Sequence, residues 1–103
     1  MPFKVELWFD GTDELCLAVG QLFWFEWFPC TKQEVWDDYD DTVRGILAGR
    51  MRVLEYISHG EVYRADLQEP KAGGGWKTVA HYDFGCLPHF GRSSRRILQA
   101  GLP

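Results

Sequence analysis

The first apolar positions of the chain recur at every second residue between positions 3 and 9. They are Phe3, Val5, Leu7 and Phe9. Because successive side chains of a strand point to opposite faces, this period of two predicts a half-buried strand. The dipeptide Asp10-Gly11, which follows, is typical of a turn. Residues 76–82 alternate in the same way and predict a further strand.

Residues 14–28 fit two secondary structures. As strands, 14–19 and 22–28 flank Gly20-Gln21, and glycine suits the first central position of a type II′ hairpin turn. As a helix, the segment would be capped by Thr12, and its apolar residues would fall at helical spacing. The run of aromatic residues from 23 to 28 favours strands, because bulky rings suit a pleated surface. We therefore expect two strands here, with a helix as the alternative.

Residues 32–48 show the spacing of an amphipathic helix. Thr31 and Glu34 fit a capping box, in which each side chain bonds the other residue's backbone N–H. Gly49 lies where a helix often ends with a left-handed residue. The apolar side chains recur at intervals of three and four residues and form one stripe. They are Val35, Trp36, Tyr39, Val43, Ile46 and Leu47.

Strand patterns return after the helix. Residues 51–58 and 61–67 flank the dipeptide His59-Gly60, which is a tight hairpin signal. Residues 68–75 contain Pro70 and three consecutive glycines, and this composition predicts a loop.

The C-terminal residues 94–100 are a candidate short helix with Ser94 as its cap. Together, the elements predict a single α+β domain over residues 1–103. We expect an antiparallel sheet of about five to six strands with the helix, about 32–48, packed on one face. A helix at 14–28 would instead move the order of elements toward a ferredoxin-like arrangement.

Composition agrees with a folded chain of 103 residues, of which 46% are hydrophobic and 16% aromatic. Aromatic side chains bury large areas, so the chain can offset its ordering entropy and we do not expect disorder.

The first residues lack the charged and apolar regions of a signal peptide, and no apolar stretch is long enough to span a bilayer. We expect Cys16, Cys30 and Cys86 to be reduced thiols. These features predict a cytoplasmic protein with no membrane partner.

The formal net charge of −4 is unevenly distributed along the chain. Residues 1–42 carry ten acids and two lysines, whereas residues 43–103 carry nine basic and five acidic side chains. An acidic total argues against a dedicated DNA-binding protein, which would need a concentrated basic field. The asymmetry indicates an acidic surface that could steer a basic partner.

The acidic run on the predicted helix is the strongest functional feature of the sequence. Asp37, Asp38 and Asp41 should point outward, with Tyr39 and Trp36 at the edge of the same surface. Asp40 lies on a flank, where Arg44 at i+4 can pair with it. Glu34 and Asp38, and Asp37 and Asp41, are like-charge pairs at i,i+4, which are mildly destabilising. The cluster is therefore locally unfavourable, which hints at a role beyond solvation of the helix.

We expect a protein-binding module whose acidic helix face recognises a basic protein. Small inhibitors of the immunity or antitoxin kind share this character, since they are acidic, compact and free of cofactors. A solvated helix face without a further role is the alternative interpretation of the same charges. We expect neither a cofactor nor catalysis.

Potential zinc ligands with N, O and S donors lie within nine residues at His81, Asp83, Cys86 and His89. The spacing matches no standard zinc module, and we expect no bound metal.

A small enzyme or ligand-binding domain is the alternative function. Its pocket would be lined by aromatic side chains, with His59, His81 or His89 as acid or base.

The aromatic run suggests one further partner. Phe23, Trp24, Phe25, Trp27 and Phe28 cannot all face one side of a strand. If Trp24, Phe28 and Trp8 are not covered by the rest of the chain, they would form an exposed surface suited to a homodimer.

Overall fold

The computed structural model describes residues 3–11, 13–83 and 93–101. Seven strands and one helix are assigned within these ranges. They are β1 (Val5–Asp10), β2 (Glu14–Val19), β3 (Phe23–Trp27), α1 (Gln33–Leu47), β4 (Arg52–Ser58), β5 (Glu61–Pro70), β6 (Trp76–Asp83) and β7 (Ser93–Leu98).

The strands form two antiparallel sheets instead of the one that we expected. The N-terminal sheet has the order β1-β2-β3, and the C-terminal sheet has the order β6-β5-β4-β7. The α+β class is confirmed, whereas a single sheet of five to six strands is wrong. The chain makes two sheets because α1 intervenes between β3 and β4, and because each sheet can then bury its apolar side against the other.

The ambiguous segment at 14–28 is a β-hairpin. β2 pairs with β3 in an unbroken register that runs from Leu15↔Trp27 to Val19↔Phe23. Three residues, 20–22, connect the strands, so the two-residue turn suggested by Gly20-Gln21 is wrong. Gly20 nevertheless has the positive φ, 68°, that a turn glycine supplies.

Helix α1 begins without the predicted capping box. Its N-cap is Lys32, and no side chain caps it. Thr31 lies one residue too early, because the chain turns at this point and the Lys32 N–H donates to the Pro29 carbonyl at 3.2 Å. The predicted C-terminus is confirmed. Gly49 has φ 78° and donates to Ile46, and the next N–H donates to Gly45, as in a Schellman motif.

The hairpin between β4 and β5 is also confirmed. His59 and Gly60 both have positive φ, 52° and 79°, as a type I′ turn requires. β5 continues to Pro70, so the expected loop at 68–75 begins three residues late. Pro70 is tolerated because it is the last residue of the strand, opposite Trp76.

The predicted short C-terminal helix at 94–100 is wrong, because residues 93–98 form strand β7. β7 pairs with β4 in the register Val53↔Leu98 to Ser58↔Ser93. Leu98 is buried in the core, whereas its neighbour Ile97 is exposed, as alternation along a strand requires. The backbone hydrogen bonds offered by β4 outweigh the weak local preference for a helix.

The core lies between the two sheets and α1. The N-terminal sheet contributes Leu15, Leu17, Val19, Phe23 and Trp27; the helix contributes Tyr39, Val43 and Ile46; and the C-terminal sheet contributes Val53, Ala65, Leu67 and Leu98. Leu7 and Phe9 share the strand face of these residues but are exposed, because β1 lies at the edge of its sheet. Within the described part of the chain, no helix combines the length and apolar character needed to cross a bilayer.

A buried carboxylate connects the two sheets. Glu55 of β4 is 0% exposed and lies inside this core. It accepts hydrogen bonds from the backbone N–H of Gln21, at 3.0 Å, and from the Arg96 guanidinium on β7, whose Nε lies at 2.9 Å. A Cβ at Gly20 would meet the Glu55 carboxylate at 2.8 Å, so only glycine allows this approach. The turn of the N-terminal sheet is thereby fixed against the C-terminal sheet.

We expect Arg96→Ala to lower the free energy of unfolding by about 3 kcal/mol, because it leaves a buried carboxylate without its cation. Urea unfolding followed by circular dichroism would measure the change. Arg95→Ala is the matched control: its guanidinium lies over the Tyr56 ring at 5.3 Å, on the opposite face of the sheet. That control should lose less than about 1 kcal/mol. Equal losses for the two variants would contradict a structural role for the Glu55–Arg96 pair.

Candidate functional site

The aspartates of α1 lie largely where the sequence places them. Asp37, Asp38 and Asp41 are exposed, and Asp40 pairs with Arg44 at 3.0 Å, as the i,i+4 spacing predicts. Asp37 accepts a hydrogen bond from Gln33, one turn earlier, at 2.7 Å. No arginine binds Asp37, Asp38 or Asp41 among the described residues, so the three charges face solvent without a cation of their own.

Of Tyr39 and Trp36, which we expect at the edge of the acidic surface, only Trp36 is exposed. Tyr39 is buried, packs edge-on against Trp27 with ring centroids 5.1 Å apart, and donates to the Cys16 carbonyl at 3.5 Å. Tyr39 is therefore a core residue and is unavailable to a partner. Trp36 is 45% exposed, with its ring centroid 6.3 Å from that of Tyr39, and it remains a surface side chain.

A groove opens between α1 and strands β3, β5 and β6, with a volume of about 390 Å³. We call it the acidic groove, because three carboxylates line it: Asp38 and Asp41 from the helix, and Glu69 from β5. The remaining lining side chains are apolar except for Thr42. They are Phe25, Trp27, Met51, Leu67, Val79 and Ala80.

The acidic groove has a rigid aromatic wall. The Trp27 and Phe25 rings meet edge-on with centroids 5.0 Å apart. The Trp27 indole Nε1–H donates to Asp38 Oδ2 at 2.7 Å, so the carboxylate and the ring hold each other in position. An apolar wall lowers the local dielectric and strengthens the attraction between these carboxylates and a cation. The arrangement suits a positively charged, partly apolar group such as an arginine or lysine side chain.

Basic side chains also lie near the acidic groove. Lys77 is directly opposite Glu69 in the pairing of β5 with β6, and no ion pair joins the two in the described structure. A second depression extends the groove past Asp41 and Met51 toward Arg50. Asp38 and Asp41 therefore form the most negative part of the groove, and its far end is mixed in charge.

Glu69 is the groove residue that the sequence did not reveal. The expected strand stopped at residue 67, which assigned Glu69 to a loop. The only signal for it is the alternation of Leu67 with Glu69 on one side of β5, and Pro70 obscures that alternation. The irregular register between Leu67 and Gln68 has no sequence signature that we recognise.

A separate polar cluster lies on the other face of the C-terminal sheet. Asp66 is buried there and accepts hydrogen bonds from Arg64 Nε at 2.8 Å and from the Tyr56 hydroxyl at 3.2 Å. The hydrogen bond with Asp66 raises the pKa of Arg64, and burial followed by the Asp66 charge raises the pKa of Tyr56. Nearby, Arg52 lies over the Trp76 ring at 4.2 Å. Because these groups satisfy one another, the cluster stabilises the sheet and offers no open site.

The metal and acid–base candidates do not assemble in the described residues. His81 Nε2 lies 3.7 Å from Asp83, on an exposed strand position, whereas Cys86 and His89 lie outside the described residues. No group of three His, Cys, Asp or Glu side chains that could hold a metal occurs in ranges 3–11, 13–83 and 93–101. His59 occupies the β4–β5 turn, and the described lining of the acidic groove contains no histidine.

Comparison with known proteins gives no further guide to this site, since no family model, no curated protein and no solved structure matches the chain.

The buried position of Tyr39 predicts a specific response to alkaline pH. Burial, with a smaller contribution from Cys16, raises the pKa of the Tyr39 hydroxyl above its usual value of 10.0. The unfolded chain then releases this proton at lower pH than the folded chain. The contribution to stability is therefore complete below about pH 10 and is lost as the pH rises through the folded pKa.

We expect Tyr39→Phe to weaken the decline in unfolding free energy above about pH 10 relative to the unmodified chain. Urea titrations at several pH values between about 9 and about 11 would measure how steeply the unfolding free energy falls with pH. Val43→Ala, a neighbouring core truncation without a titratable group, should lower stability by a similar amount at every pH. If Tyr39→Phe instead kept the original slope, the tyrosine would not be the group responsible.

Proposed function

We propose that the protein is a protein-binding module that takes a basic side chain of its partner into the acidic groove. The observation that carries this proposal is the placement of Asp38 and Asp41 beside the Phe25 and Trp27 rings in one groove. Carboxylates alone on a helix face would be a solvated surface. Carboxylates next to an aromatic wall can bind both the charge and the hydrocarbon stem of a long cationic side chain.

Arginine suits the acidic groove better than lysine does. A guanidinium is planar, more weakly hydrated than an ammonium, and able to bond a carboxylate through two N–H groups while stacking on a ring. Asp38 already accepts one hydrogen bond from Trp27, and its second oxygen can accept another. Asp41 is exposed beside it, so one guanidinium could reach both carboxylates.

The surrounding charge supports rapid association with a basic protein. Glu34 and Asp37 lie on the same helix as the groove aspartates and extend the negative field toward the helix N-terminus. Such fields raise association rates and fix the orientation of docking more than they raise affinity. An acidic surface that speeds and orients docking is what an inhibitor of the immunity or antitoxin kind needs. We propose that role for this protein, in the cytoplasm. Within the described ranges, neither Cys16 nor Cys30 forms a disulfide, which is compatible with a reducing compartment.

A capped Gly-Arg-Gly-Arg-Gly peptide tests the acidic groove directly. We expect it to shift the Trp27 indole N–H resonance in a titration followed by nuclear magnetic resonance, because that proton is bonded to Asp38. The double variant Asp41→Asn, Glu69→Gln should weaken binding roughly tenfold at low salt, if each exposed pair contributes about 0.7 kcal/mol. Added salt should weaken binding to the unmodified chain more than binding to the variant.

The matched control is the double variant Glu34→Gln, Asp37→Asn, which removes the same number of charges, both from α1, at residues outside the groove lining. It should change affinity less than twofold at moderate salt. Equal weakening by both double variants would mean that net charge, and not the groove, binds the peptide. A peptide with glutamate in place of arginine should leave the Trp27 resonance unmoved.

A further inference from the structure

Strand β1 exposes large apolar side chains on both of its faces. Leu7, Trp8 and Phe9 are consecutive, and they are 48%, 39% and 53% exposed. Alternation along a strand places Leu7 and Phe9 on one face and Trp8 on the other. A strand whose two faces are both apolar and exposed is unusual, because a sheet normally directs one apolar face inward. An exposed surface of this kind marks an interaction site.

β1 is also an edge strand of the N-terminal sheet. It pairs with β2 on one side, and within the described part of the chain no strand pairs with its other side. Its register with β2 is unbroken from Val5↔Val19 to Asp10↔Glu14, so that no bulge twists the edge away. Proteins usually protect such edges with a bulge, a proline, a charge or a covering element.

The other three sheet edges carry that protection. β3 lies against β5 and β6 of the opposite sheet. β6 has an irregular register with β5 and carries Lys77 and His81. β7 carries Arg95 and Arg96 beside each other. β1 also carries the charged residues Glu6 and Asp10, but it differs from these edges in presenting three consecutive exposed apolar side chains.

We propose that β1 pairs antiparallel with β1 of a second copy of this chain, joining two three-stranded sheets into one six-stranded sheet. The two-fold axis passes through Leu7. In this register Leu7 lies opposite Leu7 of the second copy, and Val5 lies opposite Phe9. Cross-strand pairs of apolar and aromatic side chains stabilise a sheet, whereas like charges directly opposite each other destabilise it.

The sequence of β1 is compatible with pairing to itself in this register. Centring the axis on Leu7 keeps Glu6 opposite Trp8, whereas centring it on Glu6 would bring two identical carboxylates together. Lys4 and Glu6 already neutralise each other through a salt bridge at 3.0 Å, so two copies can approach without net repulsion at these positions. The Trp8 ring stacks on Trp24 with centroids 6.2 Å apart, which extends a fixed apolar surface beside the edge.

The oligomeric state of the intact chain tests the proposal. Sedimentation velocity over a dilution series should show a species of twice the chain mass that dissociates on dilution. Leu7→Lys places a charge on the two-fold axis and should give a monomer at every concentration. Leu47→Lys is the matched control, because Leu47 at the end of α1 is also 46% exposed, and this variant should dimerise like the unmodified chain.

Two cysteine variants test the register. Under mild oxidation, Leu7→Cys should form a cross-linked dimer, since opposite residues of an antiparallel pair are within disulfide range. Lys4→Cys should not cross-link, because the two residues 4 would lie about 20 Å apart along the strands. The native thiols are the same in both variants. A monomeric unmodified chain, or equal cross-linking by both variants, would overturn the proposal without affecting the acidic groove.

Discussion

The contact between Glu55, Gln21 and Arg96 determines how the two sheets lie against each other. Apolar packing between sheets is non-directional and tolerates sliding, whereas a buried carboxylate must keep its donors within hydrogen-bond distance. Glu55 takes one donor from the backbone of the N-terminal sheet and another from β7. Gly20 provides the space for this approach. A polar contact inside the core therefore selects one arrangement among several of similar apolar burial.

The acidic groove is a consequence of that arrangement. One wall belongs to β3 of the N-terminal sheet and another to β5 and β6 of the C-terminal sheet, so their separation depends on how the sheets meet. The helix closes the groove and is held at two points. The Trp27 indole donates to Asp38 in the second helical turn, and the Gln99 amide donates to the Gly49 carbonyl, at 2.8 Å, beyond the C-terminus of the helix. Two of the aspartates that crowd unfavourably on the helix are thus positioned against the aromatic wall.

Local patterns in the sequence predicted the elements more successfully than their assembly. The type I′ dipeptide His59-Gly60 and the helix-ending Gly49 each depend on a few neighbouring residues, and the structure confirms them. The helical stripe is confirmed only in part, because its members Trp36 and Leu47 are exposed. Strand β7 forms because it hydrogen-bonds to β4, which lies about forty residues earlier in the chain. A pattern of neighbouring residues does not reveal such a long-range pairing. The residues of the acidic groove likewise differ in whether a local pattern predicts them. Periodicity indicates Asp38 and Asp41, but Glu69 reaches the groove only through the pairing of β5 with β6. Tyr39 belongs to the apolar stripe, and its place at the edge of the acidic surface is wrong because it packs against the Trp27 ring in the core.

The many aromatic residues of this chain and its small size together explain why so much apolar surface stays exposed. The radius of gyration is 14.4 Å, compared with about 13 Å for a compact domain of this length. β1 lies at the edge of the N-terminal sheet, and Leu7 and Phe9 on its core-facing side stay exposed. On its other side the Trp8 ring stacks on Trp24, which removes only part of the two rings from water. The chain thus has two separate surfaces that its own folding leaves incomplete. Among the described residues, no cation pairs with Asp38 or Asp41 in the acidic groove, and no strand pairs with the outer edge of β1. The proposed basic partner and the proposed second copy would therefore occupy different surfaces.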